Sequence, residues 1–341
     1  MLNPPRQLLK IPYLPDGGGH VLAQQTVDLF LPHPSESPPR LLISIHGGAW
    51  RAGDNEELHP LALNLATPSS DAAKSPIAVA LINYRLSPYP DQREKTGPVS
   101  HPAHIEDVHA ALRYLLIDRP TRHPDEYQTE GVILSGHSVG AWLVAASMLD
   151  PPSSPSSTHP TSASSLDPVP VHRPLHPSSL RAHIHAYVLL DGIYDIDALL
   201  DEYSSVEAYA TFVGQAFDPP QFLPAEIPTH GRYQPASIRT WVLADQYAYS
   251  TPASSSNTHL SQARDERTRD PLPRIRIVHS RKDELLSLAQ PELAWSYLHQ
   301  LLSTQTDHPS KWIQTDYDSI TTGHFDMLPT QELANYFRAQ F

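Results

Sequence analysis

A five-residue pattern, Gly-His-Ser-Val-Gly at positions 136–140, lies between two segments of different character. The residues before it, Val132 to Leu134, are apolar and typical of a buried strand. The residues after it, Ala141 to Leu149, are apolar and rich in alanine, as in a buried helix. A strand, a sharp turn that carries a serine, and a helix are the context of the G-x-S-x-G nucleophile elbow. The pattern therefore predicts an α/β fold in which Ser138 stands above one edge of a sheet as a candidate nucleophile.

The composition restricts the class of protein further. A chain of 341 residues, 40% of them hydrophobic, is expected to form one large α/β domain with insertions across residues 1–341. The absence of cysteine excludes disulfides, thiolate metal sites and a cysteine nucleophile. The 20 histidines form no H-E-x-x-H pattern, so no metal site is predicted.

Charge and hydropathy indicate the expected surroundings of the protein. The formal net charge of −13 argues against binding to nucleic acid or to an anionic membrane surface, since both require a basic face. The N-terminus has no apolar signal-peptide core, and no segment has the length of a membrane span. We expect a cytoplasmic protein, monomeric or homodimeric.

The order of the remaining segments predicts a mostly parallel sheet with helices on both faces. Predicted strands lie at 6–13, 21–31, 41–45, 77–82, 132–134, 186–190, 275–278 and 311–317, and predicted helices at 56–66, 102–116, 141–149 and from 331 onward. The alternation of strand and helix across 41–149 implies parallel strands joined by right-handed crossovers. The first two strands, linked through a glycine run, are predicted to form an edge hairpin.

Three segments interrupt this order. Residues 151–180 are mostly Pro, Ser and His without periodicity, which predicts a disordered surface insertion, and 250–271 is predicted to be a flexible loop. Aromatic residues recur through 194–217, in one or two predicted helices. These aromatics fit either the core of the domain or a small helical cap over a substrate pocket.

A second glycine-containing segment, His46-Gly47-Gly48-Ala49-Trp50, follows the predicted strand 41–45. Two glycines after a buried strand let the backbone turn and direct N–H groups into an open space. Taken alone, the segment is equally consistent with an ordinary Gly-Gly turn. Because it precedes the elbow in the order found in serine hydrolases, we interpret Gly47, Gly48 and Val139 as amide donors to an oxyanion.

The partners of Ser138 are expected after later strands. Asp283 and His324 complete the order Ser, Asp, His that is typical of α/β-hydrolases. The histidine would take the proton of the serine, and the acid would orient the imidazole. Glu284 and Asp191 are alternatives for the acid, and His279 is an alternative for the base.

The chain resembles kynurenine formamidases (arylformamidases), in particular the fungal ones. The resemblance rests on HGGAW at 46–50, which matches the HGGxW motif of that family, and on a set of further segments. These are HPAHIEDVHAALRYL at 101–115, GHSVGAWL at 136–143, LLDGIYDIDALLDEY at 189–203, HSRKDELL at 279–286 and GHFDML at 323–328. It covers most of the chain apart from 151–180 and 250–271, and the segment 151–180 departs from the compact family pattern.

The resemblance implies an α/β-hydrolase fold and the hydrolysis of N-formyl-L-kynurenine to L-kynurenine and formate, in tryptophan degradation and toward NAD synthesis. It implies Ser138, Asp283 and His324 as the triad and HGGAW as the oxyanion segment. No metal or organic cofactor is implied, and the partner is a small-molecule substrate.

Two other functions are considered beside this one. A short-chain carboxylesterase of the hormone-sensitive-lipase type has the same triad but more often a third glycine where Ala49 stands. A non-catalytic binding protein with the same fold is expected to lack a member of the triad. We also hypothesise that Trp50 excludes acyl groups longer than formyl and that the aromatics of 194–217 accept an aryl leaving group.

Overall fold

An eight-stranded sheet organises the part of the chain that the computed structural model describes, which comprises residues 4–14, 24–68, 75–92, 97–150, 178–218, 231–243 and 272–341. The strands are β1 (Arg6–Pro12), β2 (Thr26–Leu31), β3 (Leu41–Ile45), β4 (Ala78–Ile82), β5 (Val132–His137), β6 (Leu149–Asp150), β7 (Ile184–Leu190), β8 (Val242–Leu243), β9 (Arg274–Val278) and β10 (Ile313–Asp316). The helices are α1 (His59–Ala66), α2 (Ala103–Arg113), α3 (Arg119–Arg122), α4 (Val139–Met148), α5 (Ser178–Arg181), α6 (Ile196–Glu202), α7 (Glu207–Phe217), α8 (Ala289–Ser303) and α9 (Gln331–Gln340). A π-helical turn, Tyr114–Asp118, joins α2 to α3, and short 3₁₀ turns lie at Asn55–Leu58, Pro90–Gln92, Gln234–Ala236, Ile238–Thr240 and Pro309–Lys311.

The sheet has the strand order β1-β2-β4-β3-β5-β7-β9-β10. β1 pairs with β2, and β2 with β4, in antiparallel fashion, whereas the other neighbours are parallel. The predicted edge hairpin and the predicted parallel sheet are therefore both confirmed. β6 and β8 form a separate antiparallel pair.

Side chains of the central strands alternate between two hydrophobic layers. In β3, Ile43 and Ile45 belong to one layer and Leu42 to the other, and in β5 Leu134 and Ile133 divide in the same way. This division follows from the two-residue period of a strand. The layer that contains Ile43 packs against residues of α2, α4 and α8, and the other packs against residues of α1 and α9. Helices thus cover both faces of the sheet, as predicted.

Helix α4 lies deep in the molecule. All ten of its residues are buried, which explains why its sequence is apolar on every side. A Cβ atom added at Gly140 would lie 2.4 Å from the carbonyl oxygen of Ile45, so the helix meets β3 at a distance that only glycine permits. The helix that follows Ser138 is therefore fixed directly against the strand that precedes HGGAW.

Some predictions concern residues that the structure does not describe. The segment 250–271 lies outside the described residues, as does 151–177, whereas the last part of the predicted insertion begins α5 at Ser178. Within the described segments, no helix combines the length and the apolar character that spanning a membrane would require. The cytoplasmic location and the oligomeric state remain predictions.

Candidate active site

The turn between β5 and α4 has the geometry of a strained elbow. Ser138 has φ 56° and ψ −121°, a backbone conformation that residues with a side chain rarely adopt. A Cβ atom at Gly136 would lie 2.1 Å from the carbonyl oxygen of Gly140, so the turn requires glycine at that position. The sequence therefore permits a sharp turn that lifts Ser138 to the carboxyl edge of the sheet.

His324 and Asp283 meet at the same edge. His324 Nδ1 lies 2.7 Å from Asp283 Oδ2, and both side chains are buried. Asp283 Oδ1 accepts hydrogen bonds from the backbone amides of Leu285 and Leu286 at 2.8 and 2.9 Å. Burial by itself would raise the pKa of Asp283, but the hydrogen bonds from His324 and the two amides outweigh it and hold that pKa below its usual value. The carboxylate is thus ionised and orients the imidazole with its proton on Nδ1.

The alternatives considered for the acid and the base have other contacts. Asp191 Oδ2 lies 3.9 Å from His324 Nδ1, beyond hydrogen-bond distance. Glu284 accepts a hydrogen bond from the backbone amide of His324 at 3.0 Å and thus supports its backbone. His279 Nε2 donates to the carbonyl of Leu286 at 3.0 Å. Among the residues considered, Asp283 and His324 form the short carboxylate–imidazole contact.

The carboxyl group of Asp191 nevertheless lies beside that of Asp283. Its Oδ1 accepts a hydrogen bond from the amide of Ser280 at 2.8 Å, and its Oδ2 is buried and makes no hydrogen bond within the described residues. Burial, followed by the negative charge of Asp283, raises the pKa of Asp191 to about 8. At neutral pH the pair therefore carries one negative charge, on Asp283.

His137 links His324 to the elbow. Its Nε2 donates a hydrogen bond to the carbonyl of His324 at 2.9 Å, and the two rings are 4.5 Å apart. Burial lowers the pKa of His137 to about 3, so the ring is neutral and this single N–H is its donor. Because His137 directly precedes Ser138, this contact holds the backbone of His324 beside the elbow.

Two of the predicted oxyanion donors adjoin Ser138, Gly47 in space and Val139 in sequence. A Cβ atom at Gly47 would be 2.9 Å from the Cβ of Ser138, and Gly48 has φ +94°. Val139 is the first residue of α4, where a backbone N–H has no partner within the helix. Within the described part of the chain, none of these three amides donates to a protein acceptor. They are thus free to bind an anion.

Trp50 is a core residue of an aromatic cluster. Its indole is fully buried, and the ring centroid lies 5.6 Å from Trp142, 6.1 Å from Phe212 and 5.0 Å from Phe217. Phe212 and Phe217 belong to the aromatic segment 194–217, which therefore contributes to the core at this point. The contact also fixes the HGGAW segment against α7. Within that segment, Ala49 and Trp50 have positive φ angles of 53° and 56°. The roles of Trp50 in acyl-group exclusion and of the segment in leaving-group binding remain hypotheses.

Two groups of residues in the described chain have the donor atoms for a metal ion within 4.8 Å of one another, namely His137, Asp191 and His324, and Asp191, His279 and Asp283. In two of the histidines one ring nitrogen already has a protein partner, since His137 Nε2 and His279 Nε2 both donate to backbone carbonyls. The expectation that the enzyme needs no metal remains a prediction.

Neither the role of Tyr84 nor the contact of His137 with His324 is among the features predicted from the sequence. Tyr84 comes two residues after β4, a parallel neighbour of β3, and its hydroxyl contacts the HGGAW backbone. The position of Tyr84 could have indicated this contact, because residues that follow neighbouring parallel strands meet at one sheet edge. The contact of His137 depends on the path of the loop that carries His324, which the sequence does not reveal.

Several known proteins are similar to this chain in sequence. A family model described as BD-FAE matches residues 27–154. The kynurenine formamidase of Meyerozyma guilliermondii is 32% identical over 257 residues, which are 75% of this chain and 70% of that protein. The kynurenine formamidase of Scheffersomyces stipitis is 30% identical over 269 residues, covering 77% of this chain and 80% of that protein.

Solved structures share the fold. A truncated carbohydrate esterase from gut microbiota has a TM-score of 0.55 and 18% identity, covering 99% of this chain and 96% of that chain. A fungal esterase from Rhizomucor miehei also has a TM-score of 0.55, with 15% identity over 99% of this chain and 84% of that chain. At this identity the likeness concerns the fold alone, and it confirms the predicted α/β-hydrolase fold. On the strength of its sequence relatives, the chain belongs to the kynurenine formamidase family and is an enzyme that hydrolyses an amide bond of a small-molecule substrate.

Proposed function

We propose that this enzyme hydrolyses N-formyl-L-kynurenine to L-kynurenine and formate, a step of tryptophan degradation toward NAD synthesis. In this proposal Ser138 is the nucleophile, His324 the general base and acid, and Asp283 the group that orients His324. The amides of Gly47, Gly48 and Val139 form the oxyanion hole. The observation that carries the proposal is the 2.7 Å contact between His324 and Asp283 at the sheet edge that also bears the strained Ser138 elbow.

The chemistry proceeds in two halves. Ser138 Oγ attacks the formyl carbon while His324 Nε2 accepts the hydroxyl proton, and the carbonyl oxygen becomes an oxyanion bound by the backbone amides. His324 then gives the proton to the anilide nitrogen, the C–N bond breaks, and L-kynurenine leaves. Water attacks the formyl ester with His324 again acting as the base, which releases formate and restores Ser138.

The electrostatics of the site support these roles. Protonation of His324 creates a positive charge in a buried position, where an unpaired charge is costly. The ionised carboxylate of Asp283 is in direct contact with that charge and stabilises it. The protonated neighbour Asp191 leaves the pair with a single negative charge, which matches the single positive charge on the imidazolium.

The test is steady-state hydrolysis of N-formyl-L-kynurenine by the purified full-length chain, together with p-nitrophenyl acetate as a reference ester. We expect kcat/KM for the formamide to exceed that for the ester, and Ser138→Ala to reduce kcat by at least about 10⁴-fold. Ser135→Ala is the matched control, since Ser135 is a fully buried serine of β5, the strand that ends just before Ser138, and we expect it to retain activity.

Other outcomes would contradict separate parts of the proposal. Hydrolysis of the ester alone would retain the triad and reject this substrate, leaving the carboxylesterase alternative. Equal losses in Ser138→Ala and Ser135→Ala would reject Ser138 as the nucleophile.

A further inference from the structure

The hydroxyl group of Tyr84 is bound to the backbone of the HGGAW segment. It donates a hydrogen bond to the carbonyl oxygen of Gly47 at 2.9 Å and lies 3.3 Å from the carbonyl oxygen of His46. The side chain is buried, and burial raises the pKa of Tyr84, so the hydroxyl keeps its proton across the working range of an enzyme. Tyr84 therefore donates its one proton to the carbonyl of Gly47, and the carbonyl of His46 is a second, longer contact of the same hydroxyl.

His46 supports the same carbonyl from its own side chain. Its ring stacks on Tyr84 with centroids 4.5 Å apart and planes 12° from parallel. Its Nδ1 lies 2.9 Å from the carbonyl oxygen of Gly47, which can only accept, so Nδ1 carries the proton. Burial lowers the pKa of His46 to about 4, and the neutral ring has no second N–H. The Gly47 carbonyl thus accepts two hydrogen bonds from two stacked rings.

These bonds fix the direction of the amide groups that follow. In a trans peptide the C=O and the N–H point in opposite directions. Since the carbonyls of His46 and Gly47 face Tyr84, the amides of Gly47 and Gly48 point away from it. Neither amide donates to a protein acceptor in the described residues, and Gly47 lies directly against Ser138.

The orientation needs such a restraint because glycine has little conformational preference of its own. Rotation of the peptide between His46 and Gly47, or between Gly47 and Gly48, would replace an N–H by a carbonyl oxygen on the side of Ser138. A carbonyl there would repel a developing oxyanion instead of binding it. The next peptide is restrained separately, because the carbonyl of Gly48 accepts from the amides of Arg51 and Ala52 at 3.0 and 2.9 Å.

We propose that Tyr84 is a positioning residue for the oxyanion hole, acting through the carbonyls of His46 and Gly47 to direct the amides of Gly47 and Gly48 at the reacting carbonyl. This inference rests on the oxyanion hole of the proposed function. It does not depend on the identity of the acyl group, because every acyl substrate of such a site develops the same oxyanion.

The experiment compares Tyr84→Phe with Tyr127→Phe. Tyr127 is also buried and donates to a backbone carbonyl, that of Leu115, at 2.9 Å, so both variants lose one buried bond of equal length. We expect Tyr84→Phe to lower kcat by about tenfold to a hundredfold with an unchanged KM, somewhat less than the loss of one oxyanion donor, and Tyr127→Phe to leave kcat unchanged. Fluorophosphonate labelling of Ser138 counts the intact sites in each sample.

A second measurement separates positioning from general loosening of the fold. A trifluoromethyl ketone forms an oxyanion at the serine and is expected to bind Tyr84→Phe more weakly by the same factor as kcat falls, whereas inhibition by L-kynurenine stays unchanged. Equal kcat in Tyr84→Phe and the wild type, or equal weakening of both inhibitors, would overturn the proposal.

The two proposals fail in different ways. If the wild type hydrolyses p-nitrophenyl acetate and not N-formyl-L-kynurenine, the substrate is wrong, and the role of Tyr84 is then tested on the ester with the same expected loss of kcat. If kcat for the ester falls in Tyr84→Phe and not in Tyr127→Phe, the result supports the role of Tyr84 whatever the natural substrate is.

Discussion

The carboxyl groups of Asp283 and Asp191 both lie within 4 Å of His324 Nδ1, and they differ in ionisation state. Asp283 is ionised and in hydrogen-bond contact with the ring, whereas Asp191 is protonated and 3.9 Å away. We expect Asp283→Asn to lower kcat about 10³- to 10⁴-fold, because an amide favours the wrong imidazole tautomer. Asp191→Asn replaces a neutral carboxyl by a neutral amide, so at pH 7 we expect kcat within about tenfold of the wild type. Steady-state kinetics of both variants measure the difference, and a larger loss in Asp191→Asn would make Asp191 the orienting acid.

The raised pKa of Asp191 also affects stability. Between pH 4 and 8 the folded protein holds a proton on Asp191 that the unfolded chain has released, so this group lowers the free energy of unfolding as the pH rises through that window. Its contribution is fully present below the ordinary pKa of 3.8 and is lost as the pH approaches 8. Asp191→Asn removes the titration, so its stability relative to the wild type should increase with pH, by at most about 1.4 kcal/mol per pH unit.

Urea unfolding of the wild type and the variant at pH 5 and pH 8 measures this change. Asp318→Asn is the control, because the side chain of Asp318 is 85% exposed, and its effect on stability should be the same at both pH values. A stability difference for Asp191→Asn that does not grow between pH 5 and pH 8 would contradict the assigned protonation state.

At the scale of single elements, the sequence predicted best where a short run of residues is apolar and has clear ends. The fully buried strands β3, β4 and β5 appear as short apolar runs. The structure confirms β3 and β4 within one residue, whereas β5 continues three residues past the predicted end, to His137. Helix α8, Ala289–Ser303, was not predicted, although its buried Ala294, Leu298 and Leu302 recur every four residues. Its remaining residues are a mixture of polar and apolar types, so the helical pattern is weaker than that of α4. For this reason only the preceding loop, which contains Asp283, was given a role from the sequence.

The carboxyl ends of the parallel strands explain why the site was predictable in part. Ser138, HGGAW and Asp283 each follow a strand end, and parallel strands bring such residues to one edge whatever the details of packing. Which of two acids contacts His324 depends on loop geometry of a few ångströms. Asp283 reaches the ring because the loop amides of Leu285 and Leu286 hold its other oxygen. No periodicity in the sequence encodes that choice.

At the scale of the whole molecule, the site depends on contacts between elements that are far apart in the sequence. The aromatic cluster around Trp50 joins HGGAW to α4 and α7 on one face of the sheet. The Ser138 elbow is fixed by the sheet itself, through the close approach of α4 to β3. His324, which lies far from Ser138 in the sequence, is held at the same edge by the hydrogen bond from His137 to its carbonyl. The folded sheet therefore brings together groups from distant parts of the sequence.

The predicted insertion provides a test of what this assembly requires. Its two flanks are joined directly, because Arg181 Nη2 lies 2.5 Å from Asp150 Oδ1 and Arg181 Nε donates to the carbonyl of Ser147 at 2.9 Å. From the contact between the flanks and the Pro/Ser/His composition of 151–177, we expect the segment to be dispensable for folding. We expect replacement of residues 153–176 by a six-residue Gly-Ser linker to preserve kcat/KM.

The same replacement should leave stability equal or slightly higher, since closing a loop about a third as long costs about 1 kcal/mol less conformational entropy. Thermal unfolding and hydrolysis of N-formyl-L-kynurenine by the shortened chain measure both quantities. Arg181→Met in the full-length chain is the contrasting variant and should be destabilised, because it leaves Asp150 without this partner. A shortened chain that loses activity while Arg181→Met retains it would show that the segment itself contributes to the site.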